Sequence, residues 1–340
     1  MRPRIDILVA VSLLAASACG IGAATSIGPK QPPSSAVVAT IPIGDYGTAV
    51  AVRSDGARAY VTLRTNKVQV IDTASRTVAS TITTEGQPGA IALTPDGRRG
   101  YVMDMTAQSL FVLDTKNDRL ATRLPVSTRA RPIMTPSVAV ARDGRYVYVT
   151  NATTNEDHLL IVDTTTNAIV KDQFLPVHPV GVAVSPDGTR VYVVACKLTC
   201  IDGTLLTLDA ATAAVTSKLA LAAAPSGLAL APDGTRAYVA NGRDASVSII
   251  TLATGAVTTI PVSPQPVGIA VDPSGRFVYV ASFGTSRLDV IDARTTTVKA
   301  HVNVAMVPRA IAISPDGRFA YVTHSQSTCS VIDLGRVTGS

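Results

Sequence analysis

Beyond about residue 36 the chain settles into short runs in which apolar and polar side chains alternate with a period of two, as half-buried strands require. The runs recur. VAVSPDGTRVYVVA (182–195) returns as VAVRSDGARAYVTL (50–63), IALTPDGRRGYVMD (91–104) and VAVARDGRYVYVTN (138–151). Further copies are LALAPDGTRAYVAN (228–241), IAVDPSGRFVYVAS (269–282) and IAISPDGRFAYVTH (311–324). Their turn glycines, Gly56, Gly97, Gly144, Gly188, Gly234, Gly275 and Gly317, stand 41 to 47 residues apart. A period in the low forties with four strands per unit is the signature of propeller blades.

Each unit repeats one plan. A first strand such as GVAV (181–184) carries the small residues that fit where strands converge on an axis. An Asp-Gly turn follows, with glycine supplying a positive φ. Then come a Tyr-Val strand, a polar loop, a strand of the form V-x-V-I-D, a Thr-rich turn and an outer strand. Seven tyrosines (Tyr60, Tyr101, Tyr148, Tyr192, Tyr238, Tyr279 and Tyr321) share one register and are expected to pack between adjacent sheets, whereas Tyr46 and Tyr146 fall outside it. The last repeat lacks its outer strand. The segment VVATIPIG (37–44) matches outer strands such as 257–262, so the N-terminal strand is expected to complete blade seven and close the ring. The predicted fold is all-β: a seven-bladed propeller over 36–340 with four antiparallel strands per blade.

These repeats resemble the YVTN-type β-propeller family, whose consensus runs near P-x-G-I-A-V-S-P-D-G-x-x-V-Y-V-T-N and then V-S-V-I-D-T. The resemblance covers all seven units, with one departure at Thr251, where the other strands end in Asp. It implies the fold and leaves the role open, because one scaffold hosts many functions.

The N-terminus reads as an address. Arg2 and Arg4 precede an apolar run at 7–16, too short to cross roughly 30 Å of hydrocarbon. Ala16-Ser17-Ala18-Cys19 resembles a bacterial lipobox, with Ala16 where Leu is usual. Residues 1–18 are therefore expected to be a signal peptide and Cys19 a lipid anchor. Ala-Ser-Ala also fits an ordinary signal-peptidase site, which would release a soluble periplasmic or secreted protein. The Gly-, Ser- and Pro-rich stretch 19–35 reads as a flexible tether. The expectation is an exported monomer held at the cell envelope.

Composition narrows the chemistry. Aromatics make up 4% and Trp is absent, which makes tryptophan-docked quinoprotein and Asp-box sialidase propellers poor matches. The net charge of +6 suits weak attraction to anionic surfaces rather than a nucleic-acid binder. Twelve aspartates are consumed by turns, six at the Asp-Gly corners and six at the ends of third strands, and the only glutamates are Glu85 and Glu156. Paired catalytic carboxylates are thus poorly supplied. Serine-elbow, zincin, haem and phosphate-loop motifs are missing, and no cofactor is expected.

Propellers bind ligands where the loops between second and third strands meet the blade-to-blade connectors. The connector positions nearest the channel mouth are Tyr46, Gln87, Met134, His178, Ala224, Gln265 and Val307, with Arg309 two residues on. Tyr46, Gln87, His178, Gln265 and Arg309 are the candidate ligand-binding residues, suited to a small polar or anionic molecule. His158 and His178 share this face with His324, while His301 belongs to an outer strand. His324 lies across the ring, so three histidines are not expected to converge on a metal. The polar insertion 151–158 offers Glu156 and Asp157 to a cation, with a solvated loop as the plainer reading. Cys196 and Cys200 are expected to form a small disulfide, as an oxidising compartment favours, and Cys329 to be a buried free thiol. Arg64, Lys67, Arg129, Arg131, Lys197 and Arg243 add positive charge to the face, but only Tyr46 and Phe283 are available there to stack bases.

The favoured function is a non-catalytic envelope protein presenting its loop face to a protein, glycan or small molecule. The alternative is a lactonase-like or other hydrolase acting at the mouth through His178 and Arg309. Lactonase propellers share the architecture, yet no set of their acid, base and arginine residues can be placed. Polyanion or nucleic-acid binding is a third, weaker reading.

Overall fold

The computed structural model describes residues 35–105, 109–126, 136–152, 157–197, 200–222 and 224–339. Strands run from β1 (Val37–Pro42) to β28 (Thr328–Asp333) and form seven four-stranded antiparallel sheets. Blade one spans β2 (Gly47–Val52) to β5 (Thr77–Thr83), and blade two β6 (Pro88–Leu93) to β9 (Arg119–Pro125). Blade three spans β10 (Ser137–Val140) to β13 (Ala168–Phe174), and blade four β14 (His178–Val184) to β17 (Val215–Leu221). Blade five spans β18 (Pro225–Leu230) to β21 (Ala256–Pro261), and blade six β22 (Pro266–Val271) to β25 (Thr297–Asn303).

Blade seven departs from chain order. Its strands are β26 (Pro308–Ile313), β27 (Phe319–His324), β28 and then β1, with Thr40 opposite Ser330 and Ile41 opposite Cys329. The two ends of the propeller therefore meet in one sheet, as the incomplete last repeat predicts. A short helical turn, Gly335–Thr338, follows β28, and Arg336 donates to the Ser35 carbonyl at 3.1 Å. The innermost strands touch their neighbours all the way round, β2 packing on both β6 and β26.

The register tyrosines are buried between sheets. Tyr60 donates to the Thr115 carbonyl at 3.1 Å and the Asp118 carboxylate at 2.7 Å, both in a turn of the next blade. Tyr148 makes the same reach to the Ala210 carbonyl at 3.4 Å. Burial pushes the Tyr148 phenol up to about 12. Each such ring contributes about 1.5–3 kcal/mol by leaving water.

The turn aspartates act as the sequence suggests. Asp55 accepts the Ala57 N–H at 2.9 Å and Asp233 the Thr235 N–H at 2.9 Å. At Asp187 the Ser185 hydroxyl, then the Thr189 N–H and hydroxyl, hold the carboxyl down to about 2. Glycine is needed beside them for two reasons. Gly234 has φ 71°, and a Cβ there would come 3.2 Å from Pro186 of the preceding blade.

One loop is shorter than expected. β11 (Tyr146–Ala152) and β12 (Asp157–Asp163) pair to their tips, with Asn151 opposite His158 and Ala152 opposite Asp157. Extending the ladder satisfies backbone groups that a loop would leave to water. The insertion shrinks to 153–156, so Glu156 lies outside the described residues, as do Arg129, Arg131, Met134 and the whole address with Cys19. No helix among the described residues is long and apolar enough to cross a membrane.

Candidate functional site

The connectors build the channel mouth through their backbones. The carbonyl of Tyr46 accepts the Arg64 N–H at 2.9 Å, that of Gln87 the Met105 N–H at 2.8 Å, and that of Ala224 the Gly242 N–H at 2.8 Å. Likewise Gln265 holds Phe283 at 2.8 Å and Val307 holds Ser325 at 3.1 Å. Each connector thereby pins the start of its own blade's second-to-third-strand loop. In blades five to seven the pinning residue is left-handed, with φ 54° at Ala224, 56° at Gln265 and 58° at Val307.

Three of those pinned loops surround Arg309. Its Nε donates to the Ser325 hydroxyl at 2.6 Å, and its guanidinium lies 5.3 Å from the centre of the Phe283 ring. Arg64 lies over the Tyr46 ring at 6.0 Å. Gln265, Val307 and Tyr46 thus place the aromatic face, the hydroxyl and the second arginine around one partly buried guanidinium. Gly268 permits the close approach of β22 to β26, since a Cβ there would meet the Arg309 carbonyl at 2.5 Å.

The electrostatics of the cluster are one-sided. Burial first, and then the charge of Arg64, lowers the Arg309 pKa, with Tyr46 opposing. Among the described residues no carboxylate pairs with Arg309. A guanidinium stays protonated regardless, so these effects leave a partly desolvated positive charge that an anion would neutralise.

The blade-four side of the mouth is different. His178 Nδ1 meets the Asp157 carboxylate at 2.8 Å, and Asp157 is buried. His158, beside it in β12, meets Asp172 of β13 at 2.5 Å through Nδ1. The Cys196–Cys200 disulfide lies at the same corner, with Cys196 paired to His178 across β14 and β15 (Arg190–Cys196). Asp157 is therefore a partner of His178 rather than a free cation ligand. Among the described residues no three His, Cys, Asp or Glu side chains are grouped to hold a metal.

The ring of candidates is consequently divided. Tyr46, Gln265 and Arg309 belong to one constellation spanning blades six, seven and one, exposed Gln87 stands in blade two, and His178 belongs to blade four. His324 does not reach the mouth surface. It is buried, Nε2 bonds the Ser330 hydroxyl at 2.8 Å, and Nδ1 has no partner within hydrogen-bond geometry among the described residues. Burial lowers its pKa to about 4, partly offset by the Ala305 and Met306 backbone. Cys329 is buried and free, its thiol pushed up to about 12 by burial.

One polar cluster escapes a motif search. In blade six, fully buried Asp289 accepts the Ser263 N–H at 2.7 Å and hydroxyl at 2.9 Å, and meets His301 Nδ1 at 2.5 Å. The equivalent third-strand residues of blades two to four are Phe111, Leu160 and Leu206, so an aspartate at a core position is the available signal. The serine donates to the carboxylate rather than to the imidazole. The trio is therefore not a nucleophile, base and orienter in series.

Comparison with known proteins agrees with this geometry at the level of fold. Residues 177–339 match the family model of the lactonase seven-bladed β-propeller. This chain is similar to lactonase propellers over its second half. That half contains His178, Gln265 and Arg309, and leaves out Tyr46 and Gln87. YncE of Salmonella typhimurium, an uncharacterized protein, is 26% identical over 155 residues, which are 44% of this chain and 42% of that protein. The seven-bladed β-propeller protein Rv1057 of Mycobacterium tuberculosis is 30% identical over 144 residues, 41% of this chain and 35% of its own length. The chain thus spans less than half the length of the curated relatives it matches. A hydrazine synthase chain of Kuenenia stuttgartiensis superposes with a TM-score of 0.77 at 20% identity, covering 91% of this chain and 99% of that one. At that identity the likeness is to the fold alone.

Proposed function

We propose that this propeller is a non-catalytic binding protein of the cell envelope, and that its channel mouth takes a small anionic ligand through Arg309. The observation that carries the reading is the Arg309 constellation, a partly buried guanidinium with Ser325, Phe283 and Arg64 around it and, among the described residues, no carboxylate to neutralise it. A bidentate carboxylate or phosphate would supply the missing charge, a pairing worth more than a neutral hydrogen bond. Export and anchoring through Cys19 complete the proposal, with the tether 19–35 holding the disc off the membrane. A thermal-shift screen of the full chain against mono- and dicarboxylates, phosphates and sugar acids tests it. A ligand bound at 100 times its dissociation constant adds about 2.7 kcal/mol of stability. An anionic hit that disappears in Arg309→Ala supports the site; neutral sugars as the only hits would contradict it.

A second reading has its own support. The lactonase family match over residues 177–339 and the Asp157–His178 pair suit a histidine base activating water for ester or lactone opening. Lactone opening yields a hydroxy acid, so Arg309 would hold the carboxylate of the product. Turnover of lactones by the purified chain, abolished in His178→Ala, would establish this reading. Polyanion binding, for which exposed Lys67, Lys197 and Arg243 are the available charges, would appear as affinity falling steeply with salt.

A further inference from the structure

The third strands of the seven blades differ at one core position, the residue opposite the valine of each Tyr-Val strand. It is Phe111, Leu160 and Leu206 in blades two to four. It is Gln69, Ser248, Asp289 and Ser330 in blades one, five, six and seven. The polar set includes all three blades that build the Arg309 constellation. Asp289, in β24 (Arg287–Asp292), is the one acidic residue among the seven, and it is fully buried. Replacing buried polar or ionic groups by packed apolar ones is often neutral or stabilising. Stability alone therefore does not account for it.

Its bonds lead to the mouth. One carboxylate oxygen accepts the Ser263 hydroxyl at 2.9 Å and meets His301 Nδ1 at 2.5 Å, and the other accepts the Ser263 N–H at 2.7 Å. Ser263 lies in the connector that ends at Gln265, and its carbonyl accepts the Ser282 hydroxyl at 3.2 Å. Ser282 directly precedes Phe283, whose N–H is held by the Gln265 carbonyl and whose ring faces the Arg309 guanidinium. Blade one repeats the device with neutral groups. Gln69 donates to the Ile43 carbonyl at 3.2 Å, in the connector that carries Tyr46, and accepts the Thr81 hydroxyl at 2.7 Å. Gln69 stands opposite Thr81 as Asp289 stands opposite His301.

We infer that Asp289 is a positioning residue for the channel mouth: by gripping Ser263 it fixes the connector and loop that set Phe283 against Arg309. That role rests on the anion site proposed above, whose shape it maintains. His301 closes the carboxylate from the rim of the blade, with its side chain half exposed. Hydrogen bonds to a carboxylate are stronger than those to neutral acceptors. The ring that must stay against a partly desolvated charge thus has firmer support than the Tyr46 connector, which a neutral amide holds.

The Arg309 Nε–H resonance of the ligand-free full chain, assigned by its loss in Arg309→Lys, tests this role. Asp289→Leu installs the residue of blades three and four. It should keep the fold by circular dichroism and move that resonance from its ring-shifted position. Amide exchange at Phe283 should quicken about tenfold or more in the same variant. Ser263→Ala, which spares the core, should move the resonance in the same direction by less. Leu206→Ala destabilises blade four instead and should leave it in place. A resonance unmoved in both Asp289→Leu and Ser263→Ala, or moved equally by Leu206→Ala, would overturn the inference. So would an affinity for inorganic phosphate that Arg309→Ala removes and Asp289→Leu leaves intact. A wild-type chain that binds no anion would sink the anion site, while the ligand-free resonance would still decide the role of Asp289.

Discussion

The two sides of the channel mouth handle charge in opposite ways. At blades three and four each histidine has its own carboxylate, Asp157 for His178 and Asp172 for His158. At blades six, seven and one Arg309 has a hydroxyl, an aromatic face and a second arginine, and among the described residues no carboxylate. One side is internally balanced, and the other is the one proposed to take an anion. Connector carbonyls pin the loops of blades one, two, five, six and seven, whereas at blade four the connector residue His178 pairs with Cys196 as part of the ladder. Function on a repeat fold is therefore read from the side chains that depart from the repeat.

Acid should unbalance the Arg309 side first, and this is the largest expected effect. His324 lies directly before Ser325, the residue that bonds Arg309. Its folded pKa of about 4 is below the ordinary 6.5, because burial disfavours the imidazolium. Stability is full above pH 6.5 and falls as the pH drops towards 4, by about 3 kcal/mol from this one group. Unfolding by denaturant at pH 7 and pH 4 should show that loss, and His324→Gln should lose much less over the same window. An equal loss in both would place the acid sensitivity elsewhere.

The blade-four side can be perturbed independently. Reducing Cys196–Cys200 opens a loop of only a few residues, so chain entropy predicts a cost of about 2 kcal/mol. The melting temperature should fall in reductant, and anion binding at Arg309 should not change. Loss of binding on reduction would mean that the two sides are coupled.

A smaller effect is expected at Val307, a β-branched residue held at φ 58°. Val307→Gly relieves that conformation and should gain about 1 kcal/mol. A stabilised variant that also binds its anion less well would show that the strained connector serves the placement of Ser325.

How much of this is visible in the residues follows from what repeats and what does not. The blade count, the closing strand and the turn aspartates come from local patterns copied seven times, so a period and a turn chemistry suffice. The Cys196–Cys200 bridge follows from proximity in the chain. The Arg309 constellation assembles Phe283, Ser325 and Arg64 from three blades, and only ring closure brings them together. Asp157 was legible as a polar loop residue, but its pairing with His178 depends on β11 and β12 running further than the pattern shows. His301 reads as an outer-strand residue, and its bond to Asp289 depends on cross-strand register.

The most direct test is a calorimetric titration of one anionic ligand into the wild-type chain, Arg309→Ala and His178→Ala under identical salt and pH. A charge-assisted bond worth about 1.5–3 kcal/mol predicts a loss of roughly ten- to a hundredfold in affinity for Arg309→Ala. His178→Ala should bind as the wild type does. The reverse pattern, with affinity intact in Arg309→Ala and lost in His178→Ala, would contradict the account and move the site to the histidine side of the ring.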